Sequence, residues 1–264
     1  MARKHGFFRP HVLGLTAISS TTLRDGAKYN PQQALGSKLL AWWDADHTDL
    51  ITQAGGVVSA WADRVQGLTH TASGAGQPAY STSGFAGRPV ITGDGTGTFM
   101  TRAGTTGLPT NSDQFEIWTL FDQTLATDGG GSRRYLFAWG GQGTQVHLMT
   151  GVTRSATNRG RVTAGNGTTA PTLNDAVVDL TGRHFQRSVF TATGIKVAVD
   201  GFAMSAETAV VRAIDTLRSR IFANTTTTPS EFWQGGLAAI LVTSLLTDGE
   251  AAALTAWLSS RRSV

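Results

Sequence analysis

Cysteine is absent from the 264 residues, and glutamate occurs only at Glu116, Glu207, Glu231 and Glu250. Without cysteine there is no disulfide framework and no thiolate metal site, and the chain suits assembly in a reducing cytosol. The scattered glutamates exclude the Glu-x-Asp-x-x-Glu strand with which a retaining glycosidase sets two carboxylates into one cleft. Asp122 shares a strand face with Glu116 but lies about 20 Å further along it. Gly-x-Ser-x-Gly, His-Glu-x-x-His and a phosphate loop ending in Gly-Lys-Ser/Thr are all missing, and the six histidines are dispersed. The chain therefore reads as a non-enzyme. No window approaches the roughly 20 apolar residues of a membrane span. The short stretch Val12–Ile18 is interrupted upstream by Arg9, Pro10 and His11, unlike a secretory signal. A soluble protein with no membrane partner is expected.

Acidic residues are also missing from one end. Arg3, Lys4, Arg9, Arg24, Lys28 and Lys38 face only Asp25 over residues 1–38, so that segment carries +5 of the formal net charge of +4 and the rest carries −1. Such an arm docks on something acidic. Phe7, Phe8, Leu13 and Leu15 add apolar patches too small to fold alone. The near-balanced charge beyond residue 38 argues against a nucleic-acid footprint.

What is present is glycine (32 residues), threonine and short apolar runs separated by Gly, Asn, Asp and Thr clusters, the pattern of an antiparallel β-sandwich. Strands are predicted at 39–43, 57–62, 69–72, 90–92, 98–101, 114–125, 134–139, 145–150, 161–164, 176–180, 184–191, 195–199, 217–223 and 236–243. Phe115, Ile117, Thr119 and Phe121 alternate with Glu116, Trp118, Leu120 and Asp122. Trp118 and Leu120 make the second face apolar as well, so this strand is expected to be central and covered on both sides. Surface loops are expected at 128–132, 151–160 and 224–230, and Gly93–Gly97 reads as a turn. Thr247-Asp248-Gly249-Glu250 spells a capping box opening a helix to Arg262, with Ala253, Leu254, Trp257 and Leu258 as its apolar stripe. A buried strand near each end of the chain should pair to close the sandwich.

Trp43-Asp44-Ala45, Val57–Asp63, Gly67, Pro78-Ala79-Tyr80, Arg88-Pro89-Val90 and Asp94-Gly95, followed late by Phe232–Leu258, come in a familiar order. Over residues 39–262 the chain resembles the concanavalin A-like, laminin-G-like jelly rolls of bacterial and phage proteins, with Gly93 standing where that family carries an apolar residue. The resemblance implies a jelly-roll fold rather than an activity, since lectins, glucanases, adhesion modules and virion components share it. The lysine-poor, cysteine-free composition with a basic arm is similar to that of phage structural proteins.

The expectation is thus an all-β, concanavalin A-like jelly roll with a short C-terminal helix (residues 39–264) and an extended N-terminal attachment arm (residues 1–38). The function expected is that of a virion structural protein: a capsid decoration, head fibre or tail accessory. Its partners would be capsid or tail proteins, its own copies in a homo-oligomer, and a host surface glycan. Attachment would use Arg3, Lys4, Phe7, Phe8, Arg9, Leu13 and Leu15, or the arm would fold back over Trp42 or Trp43. The alternative is a secreted or surface carbohydrate-binding module. Aromatic faces stack on sugar C–H surfaces, and Trp139, before Gly140-Gly141, and Trp233, after a loop, are the candidates for exposure. Asp44, Asp46 and Asp63 are the candidate ligands for a calcium ion, set against the alternative that Asp44 and Asp63 bond local backbone donors.

Overall fold

The computed structural model describes residues 29–124, 132–141, 147–154, 158–165, 172–174 and 180–263. The chain divides into Met1–Asn30 and Pro31–Val264, and the second unit is the β domain. It begins ahead of the expected boundary at residue 39, because α1 (Pro31–Leu35) buries Leu35, and Lys38 pairs with Glu250 at 2.6 Å.

The two ends meet as expected. β1 (Leu39–Asp44) pairs antiparallel with β17 (Gln234–Ser244), with Trp42 opposite Leu241 and Asp44 opposite Ala239. Beyond β1, the same edge of β17 pairs with β6 (Arg88–Asp94), itself paired with β5 (Ala79–Phe85). The other edge of β17 runs along β8 (Phe115–Gln123). β13 (Gly182–Phe190), β14 (Gly194–Val199) and β15 (Thr208–Ala209) complete the first layer.

The opposite layer is built on β9 (Ser132–Gly140). On one side it pairs with β10 (His147–Arg154), then β11 (Asn158–Ala164) and β12 (Thr172–Asn174). On the other come β16 (Arg218–Ile221), β7 (Met100–Ala103), β4 (Thr69–Thr71), β3 (Val57–Ala62) and β2 (Ile51–Ala54). Val57 opposite Ala79 bridges the layers, so the sandwich is partly closed like a barrel.

Between the layers lie fully buried aromatics. Phe115 stacks on Phe190 at 4.6 Å, Trp43 meets Phe137 at 5.3 Å, and Phe121 meets Trp233 edge-on at 5.3 Å. β8 is central and covered on both faces, as its two apolar sides require. On its outer side Glu116 is buried, accepting from Trp118 Nε1 (2.9 Å) and from Arg187 through Nε (3.0 Å) and Nη2 (2.7 Å). The same outer layer carries α2 (Asp248–Arg262), opened by the complete Thr247/Glu250 capping box, and buries Ala251, Leu254 and Leu258.

Three segments depart from expectation. Of the loop expected at 151–160, residues 151–154 and 158–160 are strand: β10 and β11 pair from Leu148–Ala164 to Arg154–Asn158. Gly151 is there for packing, since a Cβ would lie 2.0 Å from the Arg134 carbonyl oxygen across a bulge in β9–β10. β2 and β5 are additional strands whose polar, exposed residues carry little alternation. The strand expected at 176–180 and the loop at 128–132 fall almost entirely outside the described residues.

His70 sits in the core against Trp43 and Phe137, with Nε2 2.9 Å from Ser219 Oγ. Burial, with a smaller contribution from Arg102, pushes its pKa down from 6.5 to about 3. Below pH 6.5 the unfolded chain therefore binds a proton that the folded chain refuses, and stability falls as pH drops toward 3. At pH 5 the expected loss from this group is about 2 kcal/mol. Thermal unfolding between pH 8 and 5 should show it, and His70→Gln, with nothing to titrate, should flatten the curve. Equal slopes in both proteins would contradict this assignment.

Candidate functional site

The side chains expected to form sites are mostly engaged in holding the fold. Trp139 and Trp233 are fully buried. Trp139 donates from Nε1 to the Pro109 carbonyl at 3.2 Å, and Trp233 packs on Phe121, so neither offers a face to a sugar. The three carboxylates of the calcium reading have other partners. Asp44 is buried and takes Arg261 bidentately, Nη1 and Nη2 both at 2.7 Å. Asp46 pairs with Arg88 and with Arg261 at 2.9 Å. Asp63 accepts from the backbone N–H of Val65 (2.7 Å), Gln66 (3.1 Å) and Leu68 (2.5 Å), organising a turn. Among the described residues no group of three His, Cys, Asp or Glu side chains is arranged to hold a metal.

Trp43 is core, and Trp42 is covered by Trp257 of α2 (6.1 Å), His47 (5.1 Å) and the Arg64 guanidinium (5.1 Å). The domain thus supplies its own cover for Trp42. Arg3, Lys4, Phe7, Phe8, Arg9, Leu13 and Leu15 lie outside the described residues.

A different cluster forms where three segments converge. The first is the turn after β6. Asp94 accepts from the N–H of Thr96 (2.9 Å), Gly97 (3.0 Å) and Thr98 (3.0 Å). Burial raises the pKa of Asp94, but these donors outweigh it and hold the carboxyl well below the usual range. Gly95 N–H donates to the Trp233 carbonyl at 2.9 Å and Phe99 N–H to Gly76 at 3.1 Å, which fixes the Phe99 ring. Gly93 is required by the close approach: a Cβ would sit 2.6 Å from the Trp233 carbonyl oxygen. The departure from the family pattern at this position therefore has a packing cause.

The second segment is the loop from Phe222 to Trp233. Its mouth closes through Trp233 N–H to the Phe222 carbonyl (2.9 Å), and Phe222 (φ 71°) and Glu231 (φ 57°) are left-handed non-glycine residues at its two ends. Such conformations cost on the order of 1–3 kcal/mol each and cluster at functional sites. The loop is internally bonded. Asn224 Oδ1 accepts from Ser230 N–H (3.1 Å) and Thr226 Oγ1 (2.7 Å), and Nδ2 donates to Ser230 Oγ (2.7 Å) and Glu231 Oε2 (2.9 Å). This leaves Thr226, Thr227 and Thr228 exposed at the tip.

The third segment is β16. Arg220 is 5% exposed, lies 5.3 Å over the Phe99 ring, and donates from Nη1 to the carbonyls of Asn224 (2.9 Å) and Thr226 (2.6 Å). Arg218 Nη1 reaches the Thr226 carbonyl at 3.3 Å. Burial, then the neighbouring Arg218, lowers the Arg220 pKa to about 10, so it remains a cation at neutral pH. Its Nε is buried without an acceptor, an omission worth about 1–3 kcal/mol against the fold. The site is completed by Phe232, whose ring lies 6.1 Å from that of Phe99 at 37°. Both rings are partly exposed. Two partly exposed rings thus lie beside a buried cation and a loop with exposed threonines. The patch can stack on an apolar face and bond polar groups around its rim.

Phe232 is partly exposed where its neighbour Trp233 is buried in the core.

No protein-family model matches the chain, and no curated protein sequence matches it. Solved structures share its fold. The sialidase of Trypanosoma rangeli in complex with sialic acid is similar at TM-score 0.58 and 12% identity, over 86% of this chain and 34% of that one. The same sialidase as its difluorosialic acid covalent intermediate gives TM-score 0.55 and 13% identity, over 86% and 34%. The CBM40 module of a Ruminococcus gnavus sialidase bound to α2,3-sialyllactose gives TM-score 0.46 and 15% identity, over 59% and 97%. The chain spans about a third of the length of the Trypanosoma proteins. The β-sandwich fold is shared with the matched part of the Trypanosoma protein.

Proposed function

We propose that this domain is a non-catalytic carbohydrate-binding module, and that residues 1–30 fix it to a bacteriophage or phage-like particle. The observation that carries the first half is the Phe99–Phe232 pair beside Arg220, presented by an internally bonded loop. Sugar rings dock on such aromatic faces through their C–H surfaces, with hydroxyls and cations fixing orientation. The fold shared with part of a protein solved with sialic acid agrees with this reading. So does the engagement of buried Asp44, Asp63 and Glu116 in structural bonds, which leaves those carboxylates committed to the fold. The attachment half rests on the concentration of positive charge and apolar patches in residues 1–38.

Full-length protein on a glycan array, followed by calorimetric titration, tests the module. Phe99→Ala and Phe232→Ala should each weaken binding about 2–10-fold, at about 0.5–1.5 kcal/mol per ring. Glycan binding that ignores both substitutions would displace the site, and binding to no glycan would remove the reading. Mass spectrometry of purified particles should find the chain in stoichiometric amounts, and deletion of residues 1–30 should abolish incorporation.

A further inference from the structure

Arginine grips a carboxylate or sulfate most effectively side-on, with Nε and Nη2 donating in parallel to two oxygens. Arg187 uses that edge in a buried setting, its Nε and Nη2 holding the two Glu116 oxygens at 3.0 and 2.7 Å. Arg220 is arranged differently. Its Nη1 is committed to the loop carbonyls of Asn224 and Thr226. Its Nε has no acceptor, and Nη2 donates to no acceptor among the described residues. The nearby carboxylates are committed elsewhere: Asp94 to its own turn, and Glu231 to Asn224 and, at 3.6 Å, Arg133. Among the described residues no carboxylate pairs with Arg218 or Arg220, although the two are neighbours on one strand face. A buried guanidinium whose bidentate edge is vacant, beside two partly exposed rings, is built for an oxyanion carried on an apolar frame.

We infer that the saccharide taken by this site is acidic, its carboxylate or sulfate received by the Nε–Nη2 edge of Arg220 while its ring lies against Phe99 and Phe232. This rests on the saccharide reading of the site and adds the ligand's charge class. Arg218, whose Nη1 reaches the Thr226 carbonyl, adds a second positive charge to the same field, and Thr227 and Thr228 are exposed on that loop.

The test compares full-length protein against three probe sets of matched length: neutral gluco-oligosaccharides, oligouronates bearing only carboxylates, and sulfated glycosaminoglycan fragments. Wild type should bind at least one acidic set about tenfold or more tightly than the neutral set, and which acidic set is preferred separates carboxylate from sulfate. Arg220→Lys keeps the charge and a donor for the loop carbonyls but removes the fork. It should cut the acidic-to-neutral ratio to about threefold or less. Equal wild-type affinity for neutral and acidic sets would overturn the inference and leave saccharide binding standing. Parallel loss of both in Arg220→Lys would assign Arg220 to loop support alone and overturn it too. Binding to none of the three sets would overturn the saccharide reading together with it.

Discussion

Arg261→Ala should destabilise the domain by about 3–5 kcal/mol, because it leaves Asp44 buried and unpaired. Arg261 is 4% exposed and Asp44 2%, and the two hydrogen bonds between them are both 2.7 Å. The guanidinium also lies 4.7 Å over the Trp257 ring, so one side chain clamps the end of α2 onto β1 and its helix onto Trp42. For a domain of this size the loss corresponds to roughly 6–20 °C in Tm. The double replacement Arg261→Met with Asp44→Leu should be milder than either single change, since no charge is left stranded between them. Thermal denaturation of wild type, Arg261→Ala, the two single replacements and the double replacement checks both statements. A single Arg261→Ala variant within about 0.5 kcal/mol of wild type would show that the pair carries none of the attachment of the helix.

Trp233→Ala should cost about 3–5 kcal/mol through the cavity it opens beside Phe121. Its neighbour Phe232, partly exposed, should cost about 1 kcal/mol or less on the same change but lose glycan affinity. Adjacent residues thus have opposite profiles, one in stability and one in binding. Chemical denaturation and glycan titration of the two variants distinguish them. A Trp233→Ala protein of normal stability with binding lost would reverse the assignment and restore Trp233 as the contact residue.

That reversal of neighbours shows where sequence reading stops. The pairing of β1 with β17, the double-faced β8 and the capping box of α2 were legible because each rests on local chemistry: apolar alternation, or a Thr and a Glu at helical spacing. Which face a residue takes after a left-handed kink at Glu231 is not written in its neighbours. Nor is the fate of Asp44, whose partner Arg261 lies 217 positions away and arrives only when the helix folds back. A cluster of aspartates therefore looked like a cation site when arginines and backbone N–H groups already fill it. Residues 151–160 looked like a loop because their glycines suggest turns, whereas Gly151 serves close strand contact. The binding patch itself draws on residues 94–99, 218–220 and 222–233. The register of β16 with β7 and the pairing of β6 with β17 bring them together.

The central claim is that a saccharide occupies the patch between Phe99, Phe232 and Arg220. The crystal structure of the full-length chain grown with the tightest-binding oligosaccharide tests it most directly. The account predicts a sugar ring in van der Waals contact with Phe99 and Phe232, and an oxyanion of that sugar on Arg220 Nε and Nη2. An oligosaccharide seated on another face of the sandwich, with this patch empty, would contradict it.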